Sequence, residues 1–115
     1  IFDLTYEELS KFKIGEIDKK SKYGRRFNNQ KSLGEIKIPK LSDLLELTSN
    51  YISDALIINL EIKSTPVEDN LTPPQNVMAN LIIDEVNKTE LKDKVIYSSF
   101  DWRVLREIKN IDSKI

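Results

Sequence analysis

Histidine and cysteine are both absent from the 115 residues. Without histidine, no side chain has an ordinary pKa between about pH 5 and 8, so histidine-based acid–base catalysis and histidine metal ligation are excluded within the chain. Without cysteine there is no disulfide and no thiolate metal site. That second absence does not separate cytoplasm from periplasm; the cytoplasm is the default expectation. Long apolar runs are missing too, so no membrane span is expected, and no signal peptide stands at the start. Neither sign of charge is in excess: 18 basic and 19 acidic residues leave a net charge of −1. Nothing global therefore points to nucleic acid or an acidic membrane surface. The length suffices for one small domain with its own core. It falls well short of the roughly 250 residues of a closed eight-stranded α/β barrel. The chain opens on Ile1 rather than Met, so a preceding portion is expected.

What is present is organised around Leu56-Ile57-Ile58-Asn59-Leu60-Glu61-Ile62-Lys63-Ser64. This run begins apolar and then alternates. Strand side chains alternate with period 2, which puts Ile58, Leu60 and Ile62 on one face and Asn59, Glu61 and Lys63 on the other. A carboxylate and an ammonium thus leave one face near the strand's carboxyl end. In parallel α/β proteins that end is where ligands gather. The plainer alternative is a half-buried strand with a wet face.

The other segments read as scaffold. Thr5 and Glu8 have the spacing of a capping box, with Leu4 and Leu9 at the staple positions, Phe12 extending the apolar face and Gly15 as the stop. Residues 16–37 read as a loop. It carries Lys19, Lys20, Lys22, Arg25, Arg26, Lys31 and Lys37 against Glu16, Asp18 and Glu35, a local +4, with Tyr23 and Phe27 interleaved. The two readings of that loop are an anion-binding patch and a solvated surface. Pro39 leads into a second helix with Leu41, Leu44, Leu45 and Ile52 as its buried stripe. Lys40 is a poor cap for it, though Asp43 suits its first turn. A polar loop over 64–71 precedes Thr72-Pro73-Pro74-Gln75, read as cap, first helical position and capping box, with Val77, Met78, Leu81, Ile82 and Val86 inward. Residues 95–99 read as a second strand. Asp101 caps a last helix over 102–109, with Val104, Leu105 and Ile108 apolar and a fraying tail over 110–115. The order predicts an α/β fold: two parallel strands in a right-handed βαβ unit, about four helices, and both sheet edges unpaired.

Four segments together resemble the middle of the glycerophosphodiester phosphodiesterase family. They are Asp3-Leu4-Thr5-Tyr6-Glu7-Glu8-Leu9, Ile38-Pro39-Lys40-Leu41-Ser42-Asp43-Leu44-Leu45, Leu60-Glu61-Ile62-Lys63, and Val95-Ile96-Tyr97-Ser98-Ser99-Phe100-Asp101. Their order and separation carry the likeness. The family is a metal-dependent TIM barrel that cleaves glycerophosphodiesters to glycerol 3-phosphate and an alcohol. The resemblance implies that residues 1–115 are a central fragment of such a barrel domain. It implies Glu61 as one ligand of a divalent metal, Mg²⁺ or Ca²⁺, and Lys63 as a phosphate-binding residue. Ser99 and Phe100, with Ser98, would border the substrate pocket.

Similar proteins also carry a His-Arg-Gly strand, a Glu-Asn-Thr helix, a Glu-x-Asp strand and a His-Asp pair. None occurs in these 115 residues. A phosphoric diester hydrolase of lipid and glycerol metabolism is therefore the family expectation, but the chain alone is expected to be inactive and to bind no metal by itself. Two alternatives stand beside this: a non-catalytic interaction module, and one piece of a split enzyme complemented in trans. A fragment predicts self-association through its open edges. A self-sufficient module predicts a discrete species with saturable binding.

Overall fold

The computed structural model describes residues 1–68 and 70–114; Asp69 of the expected loop and Ile115 of the expected tail lie outside the described residues. The chain divides into two compact units, one of Asp3–Pro39 with Ile1 and the other of Lys40–Ile115 with Phe2.

In the first unit the capping box forms. The Thr5 hydroxyl accepts from the Glu8 N–H at 3.2 Å, and the Glu8 carboxylate accepts from the Thr5 N–H at 2.7 Å. Helix α1 (Tyr6–Leu9) then stops after one turn. Gly15 is not its terminator, and Phe12 stands 56% exposed rather than extending an apolar face. Gly15 instead bridges Gly34 in an antiparallel pair, with the Leu33 N–H donating to the Gly15 carbonyl at 2.8 Å.

The basic segment is not all loop. It contains helix α2 (Lys22–Arg26), capped by Ser21, whose hydroxyl accepts from the Gly24 N–H at 2.9 Å and donates to the Asp18 carbonyl at 2.6 Å. Gly24 is buried so tightly that a Cβ there would overlap the Asp18 carbonyl. A five-residue helix is too short to show a periodic apolar stripe. Its cap also lacks the Glu or Gln of a capping box, so the pattern left no trace.

The second unit holds α3 (Leu41–Ser49), β1 (Ile58–Glu61), α4 (Gln75–Asn87), a 3₁₀ turn over Lys92–Lys94, β2 (Val95–Ser98) and α5 (Trp102–Ile111). Among the described residues there are thus five α-helices, one more than expected. β1 and β2 are parallel, as expected, with Ile58, Asn59, Leu60 and Glu61 opposite Val95, Ile96, Tyr97 and Ser98. The sheet has only these two strands, and no closed barrel exists among the described residues. No helix among them is long and apolar enough to cross a membrane.

The helices cover one face of the sheet. Ile62 packs with Ala79 and Ile83 of α4 and Val104 and Ile108 of α5. Leu45 of α3, Val86 of α4 and Leu91 form a second cluster, joined by Ile58 and Val95. Leu60 and Tyr97, cross-strand partners, pack against both clusters and join them. Removing a Leu, Ile or Val side chain of this kind from water stabilises by about 1.5–3 kcal/mol.

The stripes differ in detail from the sequence reading. Leu44 (50% exposed) lies off the buried face of α3, which centres on Leu45 with Leu41 beside it, and Ile52 (43%) falls beyond the end of the helix. On α4 the buried line is Ala79, Ile83 and Val86, at i, i+4 and i+7, so Val77 and Leu81 fall on its exposed flank. The start of α4 also shifts. Pro74 takes the cap position without a side-chain bond, and the Thr72 hydroxyl is buried without a partner rather than capping. Two adjacent prolines fix the entry by their own φ, which displaces Thr72 from capping distance. The tail is firmer than expected: α5 runs to Ile111, and Asp112 pairs with Lys92 at 2.6 Å.

Gly24→Ala should melt the α2 turn while sparing the Leu45–Leu91 core. Amide hydrogen exchange checks this: protection is lost over residues 21–27 and kept in α4 and α5.

Candidate functional site

The open face of the sheet follows from the same alternation that buries Leu60 and Ile62. Asn59, Glu61 and Lys63 are exposed, and so are Ile57 and Ile96. The ladder extends one residue past β1, because the Ile62 N–H donates to the Ser98 carbonyl at 2.8 Å. That bond keeps the chain extended, so Lys63 emerges on the same side as Glu61. The Lys63 ammonium donates to the Glu61 carboxylate. With the lysine side chain 75% exposed, the pair contributes about 0–1 kcal/mol, so it is readily exchanged for another partner.

Glu61, Ser98, Ser99 and Phe100 line a cavity of about 320 Å³ at the carboxyl ends of the strands. Phe100 is almost wholly exposed, and the Lys63 ammonium stands 5.9 Å from its ring centroid. The Ser98 hydroxyl donates to the Asn59 side-chain carbonyl at 2.8 Å, a cross-strand bond on the open face. Ser99 looks the other way. Its hydroxyl donates to the Ile62 carbonyl at 2.7 Å and accepts from the Asp101 N–H at 3.0 Å. A larger cavity of about 550 Å³ lies elsewhere in the unit, lined by residues such as Glu46, Ser49, Asn87 and Lys88. Lys88 there is already bonded to Glu85, and no strand end opens into it, so size alone does not make it the site.

Beneath the open face is a network the sequence reading missed. The Asp101 carboxylate is 1% exposed. It accepts two bonds of 2.9 Å from the Arg103 guanidinium, one of 3.2 Å from the Arg103 backbone N–H, and one of 3.0 Å from the Ser64 hydroxyl. Arg103 also donates to the Thr65 carbonyl at 3.3 Å. The cap role of Asp101 was legible; the bond it accepts from Ser64, 37 positions earlier, and the bond Arg103 makes to Thr65, 38 positions earlier, left no local signal. The Arg103 side-chain bonds hold the Asp101 carboxyl down to about 2; burial opposes them, and the backbone and Ser64 bonds assist.

The protein donors at this cavity fill only one anionic place in a cation's coordination shell. Ca²⁺ takes roughly six to eight oxygen ligands and Mg²⁺ about six, with waters and substrate phosphate standing beside the one or two carboxylates that usually hold Mg²⁺. At this cavity Glu61 is the one carboxylate, and it is engaged by Lys63. Among the described residues no three acidic side chains converge. The arrangement is suited to a single anionic group, which would replace Glu61 as the partner of Lys63.

Because the folded pKa of Asp101 lies below its ordinary 3.8, its contribution to stability is complete above about pH 4 and lost as pH falls towards 2. Asp101→Asn should lower the urea midpoint at neutral pH and flatten its dependence on pH between about 4 and 2. An unchanged acid limb in the variant would sink the assignment.

Comparison with known proteins bears on the family of the whole chain. The model of the glycerophosphoryl diester phosphodiesterase family matches residues 1–115. A crystal structure from Silicibacter pomeroyi DSS-3, of a protein provisionally assigned as a glycerophosphoryl diester phosphodiesterase, superposes with a TM-score of 0.85 at 30% identity. The match covers 98% of this chain and 38% of that one. No curated protein matches at a significant level. With the family pattern running through every residue, the chain belongs to the glycerophosphoryl diester phosphodiesterase family.

Proposed function

We propose that these residues are a central section of a (β/α)₈ barrel, with Glu61 and Lys63 facing its lumen. In that reading the open face is the inner wall of the ring, and α3, α4 and α5 belong to its outer layer. The observation that carries it is the shared exit of Glu61 and Lys63 beside Ser98 at the carboxyl end of a parallel pair, within a family match over the whole chain. Lys63 is the phosphate-binding residue: its ammonium is a compact charge that a phosphodiester oxygen can take over from Glu61. Glu61 supplies one carboxylate to a Mg²⁺ or Ca²⁺ site whose other ligands are not among these residues. Phe100 borders the substrate pocket, and Ser99 acts there by fixing the strand ends.

The parent reaction is hydrolysis of a glycerophosphodiester: water adds to phosphorus, the bond to the alcohol breaks, and glycerol 3-phosphate leaves. These 115 residues do not perform it alone. They contain no histidine to move a proton near neutral pH, and they offer one carboxylate where a cation needs several ligands. Activity requires the remaining ring, within a longer chain or in trans from a complementing one. The unpaired strand edges and the exposed Ile57 and Ile96 favour such completion, or self-association, over an independent binding module.

Incubating the purified chain with glycerophosphocholine and Mg²⁺ or Ca²⁺ should release no glycerol 3-phosphate in an enzyme-coupled assay. Turnover above the buffer rate, retained after repurification and lost in Glu61→Gln, would refute the proposal.

A further inference from the structure

The net charge of −1 conceals a sharp segregation. Residues 19–31 hold six cations, Lys19, Lys20, Lys22, Arg25, Arg26 and Lys31, and no acid, so all other residues together carry −7. All six side chains are exposed, and among the described residues none of them is in an ion pair. The nearest acid in sequence, Asp18, accepts from the Lys20 backbone N–H at 2.9 Å.

The segment is ordered rather than a loose tail. Ser21 caps α2, Gly24 is locked against Asp18, and the Arg25 guanidinium donates to the Lys20 carbonyl. Two aromatic side chains stand among the cations, Tyr23 at 56% and Phe27 at 42% exposed. Their ring centroids lie 4.7 Å apart at a 47° tilt, and the Arg26 guanidinium sits 5.4 Å from the Phe27 centroid.

We propose that residues 19–31 form a docking surface for an anionic phospholipid bilayer. The proposal is independent of the phosphodiesterase reading of Glu61 and Lys63. Unpaired lysine and arginine near an anionic leaflet each add to the attraction, which falls off within a Debye length. Exposed aromatic rings flanked by cations suit the headgroup level, where an apolar body and a polar tip are both satisfied. Single-stranded nucleic acid is the competing anion. It would need open ring faces for base stacking. Here the two rings engage one another, and Arg26 occupies a position over Phe27, so the bilayer is the better match.

Flotation of the purified chain with phosphatidylcholine–phosphatidylglycerol vesicles, beside phosphatidylcholine alone, tests this. Binding should appear with the anionic vesicles only and fade as salt is raised. Lys19→Gln, Lys20→Gln and Lys22→Gln combined should weaken it about 100-fold, roughly fivefold for each charge. Phe27→Ala, with every charge kept, should weaken it as well. Equal binding to neutral vesicles, indifference to the triple change, or tighter binding of an oligothymidylate than of the anionic vesicles would each overturn the assignment.

Discussion

The buried carboxylate of Asp101 is the constraint on which the site geometry depends. Both of its oxygens are occupied by Arg103, and Ser64 adds a further bond. An unpaired carboxylate at that depth would be costly, so the groups around it cannot drift independently. Ser64 and Thr65 belong to the chain leaving β1, while Asp101 and Arg103 begin α5 after β2. The hydrogen bonds from Ser64 to Asp101 and from Arg103 to Thr65 therefore tie the two strand ends together through that ion pair. Ser99 adds a second tie across the same gap, from its hydroxyl to the Ile62 carbonyl. The positions of Glu61, Lys63 and Phe100 follow from these buried bonds more than from any contact they make themselves.

The sequence disclosed this architecture unevenly, for identifiable physical reasons. The alternation from Ile58 to Lys63 specified which side chains are buried, because a strand with one covered face has no other register available. The Thr5–Glu8 and Asp101 caps were legible because each is a local bond between near neighbours. The Asp101–Ser64 bond was illegible because it joins residues that only the fold brings together. The stripes on α3 and α4 were misplaced by about one position at Leu44, Val77 and Leu81. Periodicity gives the width of an apolar face better than its centre, and what covers its flank is a tertiary matter. Helix α2 was invisible because its determinant is a steric fit of Gly24 against a carbonyl, not a pattern.

The same contrast separates scaffold from chemistry. The covered face of the sheet is complete in itself, with Ala79, Val86, Leu91 and Val104 fully enclosed. Among the described residues the open face presents the Glu61 carboxylate, the Lys63 ammonium and the Ser98 hydroxyl, an arrangement suited to an anion. Membership of the family is carried by the match over the whole chain, while the role proposed for the open face rests on Glu61 and Lys63.

The parallel pairing of β1 with β2 also has a kinetic side. Each ladder partner lies 37 residues from its mate, as Ile58 does from Val95. The entropy of closing that span is lost before any sheet bond forms. Helix α4 fills much of it, and its contact with α5 through Ile83 and Ile108 shortens the effective loop. Assembly should therefore begin with the helix pair and zip the sheet last, leaving the strand edges exposed longest while the chain is still finding its shape.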